Sequence, residues 1–298
     1  MESSKLKSFS SLHPLVLIVY FLSILVVSMF STNPVLLFIS LVGGMMFFCM
    51  MNSKKAFLSD LAFYIPMFLL IAIINPLFSH NGVTPLFFMN GNPVTLEAIL
   101  YGGNIALMLL AVVYWCKCYS EIMTTDKFLY LFGKAIPKLA LVLSMALRFI
   151  PLFREKHREF RVVQGASGLY DKKGFVNKIM CELKVFSALV TWSLENSVDT
   201  ASSMKARGYG LKGRTHFSMY KFRKRDGLIL AINLILFSVV SVGMAGGFVD
   251  FSFYPFVTEV KMGFFQMIVY ISMGIMSLLP FITELWEVIV WKYSMSKI

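Results

Sequence analysis

The chain has 298 residues, 57% of them hydrophobic and only 15% charged, with a net charge of +12 at pH 7. A soluble domain averages about 25% charged residues, so this balance excludes an ordinary soluble globular protein. The basic residues fall between apolar blocks, where sorting of positive charge to the inner side of a membrane accounts for them and a nucleic-acid partner is not required.

Six uncharged stretches follow one another: Pro14–Phe30, Pro34–Met51, Leu61–Phe78, Ile99–Cys116, Leu228–Val249 and Phe264–Ile282. At ~1.5 Å rise per residue each crosses most or all of a ~30 Å hydrocarbon core as a helix. Lys5 and Lys7 before the first stretch resemble the start of a signal peptide, but no small-x-small cleavage site follows, so a retained first helix is expected. The first two stretches are separated by Ser31-Thr32-Asn33 and form a tight antiparallel hairpin. Pro66 and Pro76 are expected to kink the third. His80–Leu96 carries no Lys, Arg, Asp or Glu and reads as an outer loop or a partly re-entrant segment.

Orientation follows from loop charge. Lys54 and Lys55, Lys117, Lys292 and Lys297 lie on the same side as Lys5 and Lys7, whereas the opposite loops hold one basic residue, Lys261. Both termini are therefore expected in the cytoplasm. The insert Lys117–Arg225 holds 21 of the 28 Lys and Arg residues against 8 acids, and is placed on the same side. It is not a disordered tail. Val176, Ile179, Leu183, Phe186, Val190, Leu194, Val198, Ala201 and Met204 recur every three or four residues, which predicts one long amphipathic helix ending near Gly208. A second helix is expected from Leu139 to Val163, interrupted at Pro151, with its apolar start at the membrane surface or under the spans. A shorter one starts at Asp126 and exits by Gly133 and Pro137.

Several chemistries are missing from the sequence. There is no GxxxxGK[ST] phosphate loop and no HExxH. His13, His80, His157 and His216 are scattered and read as surface residues rather than metal ligands. Cys49, Cys116, Cys118 and Cys181 form no CxxC pair and read as reduced packing residues. The six apolar stretches hold no charged residue, so no ion relay is expected in them. Asn75, Asn104 and Asn233 inside them read as interhelical hydrogen-bonding groups. Gly43-Gly44, Gly102-Gly103 and Gly243 with Ala245-Gly246-Gly247 allow close helix approach, either within this chain or against a second membrane protein.

Two segments of the insert end alike. The first contains Ala146-Leu-Arg-Phe-Ile-Pro151 and runs to Ala166-Ser167-Gly168; the second runs from Trp192 to Ala206-Arg207-Gly208-Tyr209. This pattern resembles the transmembrane T component of energy-coupling factor (ECF) transporters, the CbiQ/EcfT family, whose members carry an ALRFIP-like stretch, an Ala-Arg-Gly motif and a second helix ending in Ala-Arg-Gly-Tyr. Ser167 stands where the family pattern has arginine. The resemblance implies an all-α integral membrane protein of about six spans. It divides the chain into transmembrane helices 1–4 at 1–124, a cytoplasmic coupling-helix region at 125–225, and transmembrane helices 5–6 with a tail at 226–298. It also implies that Ala206, Arg207, Gly208 and Tyr209, and in the first helix Ala166, Ser167 and Gly168, dock into two ATP-binding cassette ATPase subunits, with Arg148 and Pro151 supporting. The implied assembly adds a membrane substrate-binding S component and the lipid bilayer, with no nucleic acid. This chain would bind no cofactor, ATP and Mg belonging to the ATPases, and would catalyse nothing itself. The setting implied is a bacterial or archaeal cell membrane and the cargo a vitamin or a transition-metal ion.

Two other functions leave different marks. The permease subunit of an ordinary ABC importer needs its own central substrate path and a different coupling loop. A lipid-modifying enzyme needs acids or histidines clustered at one membrane face, and the sequence offers none.

Overall fold

The computed structural model describes residues 9–79, 82–89, 92–167, 174–211, 220–260 and 262–295. Lys5, Lys7, His80, Gly168, His216, Lys261 and Lys297 lie outside the described residues. Nine α-helices and one two-stranded sheet are formed among the described residues. The chain divides into two compact units, Met1–Lys127 with Tyr220–Ile298, and Phe128–Met219.

In the first unit, α1 (Pro14–Phe30) and α2 (Pro34–Met51) coincide with the first two predicted spans. Their bounds were legible because proline occupies the first helical position of each, where its missing N–H costs nothing. His13 Nδ1 accepts from the Leu15 N–H at 3.2 Å, and Asn33 Oδ1 accepts from the Val35 N–H at 2.9 Å. Asn33 also donates from Nδ2 to the Val249 carbonyl at 3.0 Å and to Tyr270 Oη at 3.1 Å, which ties the hairpin turn to a later turn and to the last helix.

Three of the remaining membrane helices overrun their apolar stretches: α3 (Lys54–Phe78), α4 (Leu96–Ile122) and α9 (Phe264–Met295). The fourth, α8 (Lys224–Ala245), starts four residues before its stretch and stops at Ala245, four residues short of Val249. Together with α2, five helices among the described residues are long and apolar enough to cross a membrane, and α1 adds a 17-residue apolar helix. The chain is an all-α membrane protein. Overrunning brings charge onto the helices: Asp60 on α3 and Glu97, Lys117 and Glu121 on α4. Helix α3 continues through both Pro66 and Pro76.

Between α3 and α4 the uncharged segment forms a β-hairpin, β1 (Pro85–Met89) antiparallel to β2 (Asn92–Thr95). Glu97, buried at the first turn of α4, accepts from Thr84 Oγ1 at 2.8 Å and holds the hairpin against the helix start.

The core is aromatic. Trp115, Tyr20, Phe21 and Phe47 are fully buried together with Phe9, which reaches them from a short 3₁₀ turn, Phe9–Ser11. Ring centroids of Phe9 and Tyr20 lie 5.4 Å apart, edge to face. The Trp115 indole N–H donates to the Ser40 carbonyl at 3.1 Å. The turn is pinned twice. Phe9 N–H donates to buried Glu284 Oε1 at 2.8 Å, and Lys127 Nζ donates to Ser10 O at 2.7 Å and Ile122 O at 2.9 Å. Glu284, two residues beyond the last apolar stretch, is thus a buried structural acid inside α9 (Phe264–Met295).

Asn75 and Asn233 bridge helices as expected, whereas Asn104 reaches the turn between α1 and α2. Asn75 Nδ2 donates to Ala98 O at 3.0 Å, Asn104 Nδ2 to Thr32 O at 3.0 Å, and Asn233 Nδ2 to Ser23 Oγ at 3.1 Å. The small residues serve contacts within the chain at several points. A methyl on Gly43 would meet Ser277 Cβ at 2.5 Å, and one on Gly102 would meet the Ala72 carbonyl at 2.7 Å. Cys118 and Cys181 are buried, while Cys49 and Cys116 are exposed.

The second unit is built on α6 (Pro137–Ala166) and α7 (Phe175–Ala206). A shorter helix, α5 (Thr125–Ala135), leads toward it. Helix α6 starts with Pro137 at its first position and runs unbroken through Pro151, where an interruption was expected. Proline inside a helix removes one backbone bond and can be accommodated within a long one; here the flanking turns on both sides remain helical.

Candidate functional site

The site foreseen in the sequence is the pair of helix ends in the second unit. Helix α7 closes at Ala206, with Arg207 as its C-cap at φ −81° and ψ 9°. Gly208 follows at φ +78°, a left-handed value that glycine takes without penalty. The Gly208 N–H donates to Lys205 O at 2.9 Å and the Tyr209 N–H to Met204 O at 3.0 Å. These two bonds define a Schellman motif, which satisfies the last carbonyls and turns the chain sharply off the helix axis. Arg207, Ala206 and Tyr209 are exposed at that turn. The guanidinium is a planar, permanently charged fork able to pair bidentately with a carboxylate, and here it is fixed to a rigid helix end.

The first helix ends the same way as far as it can be followed. Ser167 caps α6 at φ −82° and ψ 10°, within a degree of the Arg207 backbone. The side chains differ. Ser167 Oγ donates back to its own helix, to Val163 O at 3.0 Å, and presents no charge. Ala166 and Ser167 are exposed, and Gly168 lies outside the described residues. Arg148 and Pro151 lie on α6, both exposed and three residues apart, so they share a helix face.

The two ends are not brought together. Phe153 packs edge to face on Trp192 with centroids 6.0 Å apart, and Arg161 Nη2 approaches Glu182 Oε1 at 2.8 Å as an ion pair. Rising along α6 therefore means descending along α7, so the helices run antiparallel. At ~1.5 Å per residue the Ser167 and Arg207 ends lie roughly 40 Å apart along the pair.

The sequence reading missed the residues that hold this pair. His157 Nε2 lies 3.7 Å from Glu182 Oε2, beside the Arg161 contact, and Lys156 Nζ stands 6.0 Å over the Trp192 ring. Lys156 also donates to Glu159 at 2.6 Å, which holds its ammonium above the ordinary lysine pKa. The signal was the four-residue spacing of His157 and Arg161 on one helix face opposite a single acid. The packed face of α7 carries buried Cys181 and Val185. The apolar stripe that predicted the helix is left uncovered: Val176, Leu183, Phe186, Leu194 and Val198 are each more than half exposed.

The sequence profile of the CbiQ family, described as cobalt transport protein, matches residues 7–217, which takes in α1 through α7 and both helix ends. The chain belongs to the CbiQ family. Curated relatives agree. It is 28% identical over 179 residues to the energy-coupling factor transporter transmembrane protein EcfT of Bacillus selenitireducens, covering 53% of this chain and 67% of the relative. It is 27% identical over 197 residues to the protein of the same name from Listeria innocua, covering 61% and 74%. Against that of Lactococcus lactis it is 33% identical over 114 residues, covering 36% and 43%. The aligned stretches thus span from 43% to 74% of these three relatives. Membership makes the chain a multi-pass membrane protein of a transport family, in keeping with its apolar helices.

Proposed function

We propose that this chain is the membrane scaffold and coupling subunit of an ATP-driven ECF-type importer. The relatives' shared designation as ECF transporter transmembrane proteins supports the assembly type. In this reading both termini and residues 125–225 face the cytoplasm, as the loop charges argue. The chain binds no cofactor. ATP and Mg belong to two partner ATP-binding cassette subunits, one at each helix end. A separate membrane substrate-binding S component covers the uncovered apolar stripe of α7.

The observation that carries this reading is the exposed Arg207 at a Schellman-terminated end of a 32-residue helix. A free arginine at a flexible loop loses side-chain and backbone entropy on docking; one fixed to a helix end has already given up most of it. The roughly 40 Å between the two ends suits two separate grooves better than one. ATP-driven approach of the two ATPases then moves the helix ends and, through the rigid pair, reorients the S component. The cargo class, a vitamin or a transition-metal ion, rests on family resemblance.

The test is Arg207→Glu in cells that depend on uptake. Charge reversal at an interface that pairs the arginine with a carboxylate abolishes ATP-driven uptake, while the amount of chain in the membrane stays at the wild-type level. Undiminished uptake by a normally inserted mutant contradicts the assignment.

A further inference from the structure

Three apolar stretches reach their boundaries at one place in the first unit. Asn52 follows the last residue of α2, Asp60 precedes the apolar part of α3, and Lys117 follows that of α4. All three line a single cleft of about 550 Å³. Residues adjoining the ends of spans sit at the depth of lipid headgroups, so this cleft opens where the bilayer is polar.

Its walls are graded. Along α4 the lining runs from Val112 and Val113, through Cys116 and Lys117, to Ser120 and Glu121, from apolar to polar over about 13 Å at ~1.5 Å per residue. The charges are placed unevenly. Lys117 Nζ pairs with Asp60 Oδ2 at 2.8 Å and lies 4.8 Å from the Tyr64 ring centroid, so those two charges answer each other. Glu121 is exposed at the mouth, where Asn52 Nδ2 donates to its Oε1 at 2.7 Å. Among the described residues it has no cationic partner. The cleft therefore carries one unanswered negative charge at its outer, polar end.

We infer that this cleft binds a phospholipid whose headgroup bears a primary amine, of the phosphatidylethanolamine type. The ammonium donates to Glu121, the phosphate accepts from Ser120 Oγ and shares Lys117 with Asp60, and the start of an acyl chain follows Val112 and Val113. A phosphatidylglycerol headgroup brings no cation to Glu121. A phosphatidylcholine headgroup brings a cation without N–H donors. A soluble amine leaves the apolar wall in contact with nothing.

Native mass spectrometry of the full chain in detergent, titrated separately with phosphatidylethanolamine, phosphatidylglycerol and phosphatidylcholine of identical acyl chains, tests this. One phosphatidylethanolamine is expected to be retained about tenfold more strongly than either other lipid, the size of one charge-assisted hydrogen bond. Glu121→Gln keeps an acceptor for Asn52 Nδ2 but loses the charge, and removes that preference. Val112→Trp, which fills the groove, removes the bound lipid; an unchanged melting profile shows each variant folded. Equal retention of the three lipids by the wild type overturns the inference. So does unaltered phosphatidylethanolamine binding in either folded variant, and so does a cleft that takes up a partner protein instead of lipid.

Discussion

At the scale of single residues the account turns on two helix caps with one backbone geometry and different side chains. Gly208 is irreplaceable in the sense that its φ of +78° lies where a Cβ is disfavoured by about 1–2 kcal/mol. A Cβ there would also meet Leu211 Cδ1 at 3.1 Å. Gly208→Val is expected to open the Schellman turn, and hydrogen exchange at the Tyr209 amide, which now donates to Met204 O, should quicken about tenfold; an unchanged rate would show that the turn is held by something else. Ser167 is the reverse case. Its hydroxyl serves only its own helix and it is exposed, so Ser167→Arg should change stability by less than about 0.5 kcal/mol. It supplies the cation that the family pattern has there. If the α6 end docks as the α7 end is proposed to, the variant retains as much ATPase as the wild type on affinity purification, or more. Loss of the ATPase would mean that the two ends dock differently.

At the scale of elements, the helices were legible where sequence chemistry is local and hidden where it depends on partners. Pro14 and Pro34, each after a capping side chain, fixed the starts of α1 and α2, and the period of Val176 to Met204 together with Gly208 fixed α7 and its end. The hairpin β1–β2 was missed because a short uncharged segment has no period long enough to separate strand from loop; the Asn90-Gly91 pair between apolar runs was the available signal. Helix length was underestimated for α4 and α9 because apolar content marks the part inside hydrocarbon, whereas backbone bonding continues through Glu121 and Glu284. The face of α7 that packs on α6 was also invisible, since the stronger apolar stripe points elsewhere and the buried contact rests on Trp192, Glu182 and two small apolar residues. Trp192→Ala removes the contact with Phe153 and the support under Lys156. It should loosen the α6–α7 pair by about 1–2 kcal/mol. The measurement is hydrogen exchange along α6, which should quicken around Phe153 in the variant; equal protection would place the stability of the pair in the Arg161–Glu182 contact instead.

At the scale of the whole molecule, the first unit is an aromatic-cored membrane bundle and the second a basic antiparallel helix pair, in a chain of the CbiQ family. Two buried charged groups of the bundle are engaged in structure, Glu284 accepting from the Phe9 amide and Lys127 donating to the Ser10 and Ile122 carbonyls. The scaffold role proposed above calls for partners more than for chemistry of its own. The decisive measurement is affinity purification of the tagged full chain from native membranes, with the bound proteins identified by mass spectrometry. The account predicts two ATP-binding cassette ATPase subunits in stoichiometric amounts together with a separate small membrane protein, and loss of the ATPases with Arg207→Glu. A chain that purifies without any ATPase, or that carries solute unaided in vesicles, contradicts it.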